Sequence, residues 1–220
     1  MLTVTNPFGQ TLTYGYDQNG NVTSVSDSLG GQVTSVLSAA ERLTSRQFSG
    51  PNGQQARLDL NYTPDGQVST LTRYSNLSGN TRVGLTQNSY DAVGNVTQIQ
   101  HQNGSGSSLL TYVYSYDTAN RLSSETDNGT TTNYGYDHDS QLTSAGGSNY
   151  GFDPNGNRNM SGYVTGVANR LLSDGTWNYH YDAAGNITSK TNSQTGETWT
   201  YSYDLGEERC QEPKTIEDRK

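Results

Sequence analysis

Two stretches, Asp17-x-Asn19-x-Asn21 and Asp153-x-Asn155-x-Asn157, place oxygen-bearing side chains at alternate positions, as the opening of a calcium loop does. Such a loop needs glycine at its sixth place, but Val22 and Arg158 stand there. A tight turn accounts for the same Asp and Asn residues, so no metal ligand is assigned. His101, His138 and His180 are scattered, and His180, between Tyr179 and Tyr181, belongs to the strand face opposite the rings. Neither a Gly-x-Ser-x-Gly elbow nor a phosphate-binding Gly-x-x-x-x-Gly-Lys occurs. The single cysteine, Cys210, excludes an intramolecular disulfide and a thiolate metal cluster. No catalytic residue and no cofactor are assigned, and the chain reads as a non-enzyme. The rings of Trp177, Tyr179, Trp199 and Tyr201 suit contact with sugars, because flat amphipathic side chains bury area while keeping a polar handle. The same rings also suit a cross-strand ladder that stabilises a thin sheet, at ~0.2–1 kcal/mol per pair.

The elements that carry these residues repeat. Tyr-Asp-x-x-Gly-Asn-Val/Ile-Thr occurs at Tyr16–Thr23, Tyr90–Thr97 and Tyr181–Thr188, with Asp17 and Gly20, Asp91 and Gly94, and Asp182 and Gly185 in the turn. Weaker copies start at Tyr62 (with Gly66), Tyr116 (Asp117), Tyr136 (Asp137), Phe152 (Asp153, Gly156) and Tyr203 (Asp204). Two more keep only their second half and align with Leu37 and Thr165 in the tyrosine's place. The ten starts are spaced by about 21 residues on average. Upstream of the tyrosine the pattern alternates, as in Tyr112-x-Tyr114-x-Tyr116 and Trp177-x-Tyr179-x-Tyr181, which is a strand with its rings on one face. Asp-x-x-Gly then predicts a type I turn followed by a left-handed residue, a common hairpin connection. Where glycine is missing, Asn120 and Asn169 are expected to take that conformation. A second set of turn signals lies between copies, at Asp27–Gly31, Asn103–Gly106, Asp127–Gly129 and Ser173–Gly175. Each copy thus reads as two strands and two turns. Residues 1–204 form an all-β, continuous antiparallel meander of somewhat under twenty strands that should curve or spiral.

Composition agrees with that reading. Leu, Ile, Val and Phe together make only about 16% of the 220 residues, so an aliphatic core is not expected. A net charge of −8, 15% charged residues and 16 tyrosines also oppose disorder. The acidic balance argues against nucleic acid, and no apolar run approaches the ~20 residues of a membrane helix. No secretory signal is visible at the start. Residues 205–220 differ from the rest: nine of those sixteen are charged, and they are expected to form a disordered tail outside the sheet. The copy opened by Tyr203-Asp204 is not completed, so the tract is expected to belong to a longer one.

The motif, its period and its ten copies resemble the YD-repeat, or Rhs, family. That resemblance implies a β-strip spiralling into a cocoon-like shell, as in bacterial polymorphic toxins, insecticidal toxin complexes, wall-associated proteins and teneurins. It implies a secreted or cell-surface protein that encloses or displays a toxin or a larger chain. Its partners would be further repeats, joined through sheet edges, and an encapsulated toxin. In toxin members a segment with Asp-Pro-x-Gly-Leu precedes release of the toxin. Here Asp153-Pro154 is followed by Asn155-Gly156-Asn157, within an ordinary repeat turn. The alternative is an adhesin-like module whose Tyr/Trp ladder binds cell-surface glycans.

Overall fold

The computed structural model describes residues 1–203 and the backbone of 209–212. Among these residues the regular structure is almost wholly extended. The strands are β1 (Leu2–Thr5), β2 (Thr11–Tyr16), β3 (Val22–Asp27), β4 (Gln32–Leu37), β5 (Leu43–Ser49), β6 (Gln55–Tyr62) and β7 (Val68–Tyr74). They continue with β8 (Arg82–Tyr90), β9 (Val96–Asn103), β10 (Ser108–Tyr116), β11 (Leu122–Asp127), β12 (Thr130–Tyr136), β13 (Leu142–Ala145) and β14 (Ser148–Asn149). The last six are β15 (Tyr163–Thr165), β16 (Leu171–Asp174), β17 (Trp177–Tyr181), β18 (Ile187–Asn192), β19 (Thr198–Tyr203) and β20 (Arg209–Glu212). Short 3-10 turns occupy Pro51–Gly53 and Val167–Asn169. No helix among the described residues is long and apolar enough to cross a membrane.

Within each of two sheets every strand pairs with its neighbours in sequence. β1 to β14 follow one another in a 14-stranded antiparallel sheet of open order, and β15 to β20 form a second sheet of six. The chain divides into two compact units, Met1–Thr132 and Asn133–Lys220, with the boundary inside β12. The meander is interrupted once, between Asn149 and Tyr163, where only a Phe152–Arg158 bridge forms. Around that point the repeat starts at 136, 152, 165 and 181 are only 16, 13 and 16 residues apart. The two 16-residue intervals hold two strands only by shortening them, to four and two residues in β13 and β14 and to four and five in β16 and β17, and the 13-residue interval holds β15 alone.

The alternation that the sequence predicts is present: along β17, Trp177, Tyr179 and Tyr181 are half-buried while Asn178 and His180 are exposed. No hydrophobic side chain among the described residues is fully buried, and the buried polar residues are Ser45 and Thr86. The sheet therefore gains its stability from partial cover of rings and from hydrogen bonds rather than from a sealed core.

One expectation is corrected. Within the tail assigned to disorder, Arg209–Glu212 is a strand, paired with β19 so that Gln211 lies opposite Tyr201. The edge of β19 presents unpaired backbone groups, which an extended segment of any composition can meet. The other residues of 205–220, and Asp204, lie outside the described residues.

Candidate functional site

The repeat turns are built by one side chain each. The Asp17 carboxylate accepts the backbone N–H groups of Asn19 and Asn21 through Oδ1, both at 2.9 Å, and the Asn21 side-chain amide through Oδ2 at 3.1 Å. The same pattern recurs at Asp91 with Val93 and Asn95, and at Asp153 with Asn155 and Asn157. At Asp117 the fifth residue after the repeat tyrosine is Arg121, whose Nε donates to Oδ2 at 2.8 Å. Asp137 and Asp182 bind the N–H groups of Gln141 and Asn186 in the same way. Donation from the fifth residue holds the carboxyls of Asp17, Asp91, Asp117, Asp153 and Asp182 below the usual aspartate range. The side-chain amide leads at Asp17, Asp91 and Asp153, and the backbone N–H leads at Asp117 and Asp182. The calcium-like spacing is thus consumed by the turn. No group of three or more His, Cys, Asp or Glu side chains able to hold a metal is present among the described residues.

In the copies whose turns are described, the fourth residue after the tyrosine's place takes the left-handed conformation: Gly20, Gly66, Gly94, Gly156 and Gly185, with Asn120 and Asn169 in their own copies. Glu41 and Ser140 do so as well, at φ 58° and 63°. The turn therefore imposes this backbone even on residues that rarely adopt it.

The tyrosine hydroxyls join one repeat to the next. Tyr62 donates to the Leu43 carbonyl at 2.7 Å, Tyr90 to Val68 at 2.8 Å and Tyr116 to Val96 at 2.9 Å. Tyr181 donates to Leu171 at 2.7 Å and Tyr203 to Ile187 at 3.0 Å. Each acceptor is the sixth residue after the tyrosine position of the preceding copy. Each also lies beyond the last paired residue of its ladder: the β9–β10 register, for example, stops at Gln98 opposite Val113. The phenol thus supplies a donor where the next strand has turned away.

The fifth residue of a copy reaches the following turn. Gln67 Nε2 donates to the Gly94 carbonyl at 2.7 Å, Asn95 to Asn120 Oδ1, and Asn157 Nδ2 to Asn169 Oδ1 at 3.1 Å. In the two copies that keep only their second half this residue is arginine: Arg42 lies over the Tyr62 ring at 5.6 Å and Arg170 over Tyr181 at 5.6 Å. Sequence reasoning missed both the hydroxyl bonds and these bridges. The bridges had a signal, since the fifth residue of each of the first nine copies is Asn, Arg or Gln, and all three carry side-chain N–H donors.

The residues expected to contact glycans are engaged within the sheet. Lys190 Nζ lies 4.5 Å from the centre of the Trp177 ring and 5.3 Å from that of Trp199. Trp199 Nε1 donates to Glu197 at 2.9 Å, and Tyr179 donates to Asp174 Oδ2 at 2.7 Å. Burial, then the bond to the Asp174 carboxylate, pushes the Tyr179 phenol up to about 12. Tyr201 is half-buried on the same strand as Trp199.

A family profile described as Teneurin YD-shell matches residues 29–158, and one described as RHS Repeat matches 1–32 and 176–207. The chain belongs to the YD-shell family. Solved structures agree in fold. The crystal structure of TcdB2-TccC3-Cdc42 superimposes with a TM-score of 0.59 at 15% identity, covering 91% of this chain and 13% of that one. The Photorhabdus luminescens Tc holotoxin pore gives 0.58 at 16% identity, covering 90% and 13%. The chain thus spans about 13% of the length of the solved chains it matches. No curated protein sequence matches it.

Proposed function

We propose that this chain is a length of YD-shell wall that helps to enclose or display a larger protein, a toxin foremost, outside the cell or at its surface, and that it does no chemistry of its own. The observation that carries this reading is the seam. Successive copies are joined by tyrosine hydroxyls, and the fifth residues reach from turn to turn, so the sheet extends copy by copy without a core. One of the structures similar in fold is the Photorhabdus luminescens Tc holotoxin pore, which supports a toxin as the enclosed chain.

A wall segment presents end strands that recruit further strands. β1 stands at one end of its sheet, with Leu2 and Val4 about half exposed and no charged residue in the strand. Size exclusion with light scattering, combined with small-angle X-ray scattering, tests this on the purified chain. Association that grows with concentration is the expected result. A compact 23.9 kDa monomer at every concentration overturns it. A glycan array separates the adhesin reading: binding lost on Trp177→Ala and Trp199→Ala would favour that alternative.

A further inference from the structure

In five seams a tyrosine lies along the gap between copies and donates to a carbonyl of the copy before. The seam between the first two copies has no such ring. Leu37 holds the tyrosine's place, the corresponding carbonyl is that of Val22, and Ser35 stands where the first copy has Tyr14, two residues upstream. The β3–β4 register stops at Ser24 opposite Thr34, two residues short of Val22, as the ladders do at the tyrosine seams, but here no phenol reaches over the end. An open cavity of ≈ 310 Å³ remains, lined by Val22, Ser24, Val25, Val33, Ser35 and Arg46.

Its chemistry is mixed in a specific way. Three valines offer apolar walls, and one end carries the position of the missing phenol's acceptor. Arg46 is exposed, donates through Nε to Ser35 Oγ at 3.3 Å, and makes no ion pair among the described residues. A guanidinium has five N–H donors, in a fork that fits a carboxylate.

We propose that this slot binds a small phenolic acid: the ring replaces the absent tyrosine side chain, the hydroxyl donates to the Val22 carbonyl and the carboxylate meets Arg46. A seam that keeps its tyrosine fills the same space with its own ring, so the site belongs to a joint that lacks one.

The test is an amide NMR titration of the full chain with para-hydroxyphenylacetate. Saturable shifts at Val22, Ser24, Val33 and Ser35 are expected. Phenylacetate, without the hydroxyl, and para-cresol, without the carboxylate, should each bind about 2- to 10-fold more weakly, the effect of one net hydrogen bond. Leu37→Tyr should abolish binding by filling the slot with the chain's own phenol. Arg46→Gln should weaken the acid while leaving para-cresol unchanged. Absence of saturable shifts, equal binding by phenylacetate, or full binding by folded Leu37→Tyr overturns the assignment. If Leu37→Tyr does not fold, Arg46→Gln decides, because undiminished affinity for the acid then refutes the site.

Discussion

Replacing Tyr116 by phenylalanine deletes one hydroxyl and nothing else. The Val96 carbonyl then loses the donor that reaches it at 2.9 Å. A net intramolecular hydrogen bond stabilises by roughly 0.5–1.5 kcal/mol. In the unit of residues 1–132 that corresponds to a fall of roughly 2–5 °C in Tm. Tyr90→Phe is the internal control. Its acceptor, Val68, also receives Asn88 Nδ2 at 2.9 Å, so one donor remains after the hydroxyl is gone. The expected loss is smaller, below about 0.5 kcal/mol. Removing Asn88 first should restore the full cost: on an Asn88→Ala background, Tyr90→Phe should destabilise as much as Tyr116→Phe does alone. Urea denaturation followed by far-UV circular dichroism measures all four variants. Equal losses for Tyr90→Phe and Tyr116→Phe on the wild-type background, or a neutral Tyr116→Phe, would refute the role given to the hydroxyls.

Three further outcomes can be measured on the same protein. Gly20→Ala and Gly66→Ala each place a Cβ at φ near 87–88°, at a cost of about 1–2 kcal/mol. The Gly66 change costs more, because its Cβ would also displace the Arg42 guanidinium from Tyr62, whereas Gly20→Asn should be nearly neutral; thermal melts that rank the two alanines equally would contradict this. The turn carboxyls are held below their unfolded value of about 3.9, so their contribution is present above that pH and is lost as pH falls through the lower folded values. Acid titration of Asp91→Asn should therefore show a shallower loss of stability than wild type, and an unchanged slope would count against the turn network. Lys190→Met keeps the apolar stem but removes the cation between Trp177 and Trp199, and should cost about 0.5–1 kcal/mol in a melt followed by tryptophan fluorescence; no loss would show that the cation contributes nothing.

The fold was legible because its determinants are local. Period-2 rings, Asp at the turn's start and a left-handed residue at its end all act within eight residues of one another, so a single copy carries its own instructions. The paired strands and the position of each turn could therefore be read at Tyr16, Tyr90 and Tyr181 without knowledge of the rest. The joints between copies were less visible. Tyr116 and Val96 are 20 residues apart, and nothing in the type of Val96 reveals that its carbonyl lies beyond the end of a ladder. The pairing of Lys190 with two tryptophans likewise depends on register across three strands. The strand at Arg209–Glu212 was missed because an edge accepts backbone, whereas composition describes side chains.

The seams explain where the sheet holds and where it opens. Each copy bonds chiefly to the one before and the one after, so stability is approximately a sum of nearest-neighbour terms, and a defect at one joint is not shared among distant copies. Three of the ten copies lack the tyrosine, with Leu37, Phe152 and Thr165 in its place. The first lies at the β3–β4 slot; Phe152 lies within the interruption between β14 and β15, and Thr165 ends β15 just after it. One missing hydrogen bond of about 1 kcal/mol cannot by itself separate strands that several ladder bonds hold together. At Leu37 the strands are long and pairing continues, so only a slot results. At Phe152 and Thr165 the missing hydroxyls coincide with the shortest repeat spacing, and there is too little ladder to compensate. Loss of the phenol loosens a joint, and loss of strand length decides whether the loosened joint becomes a break.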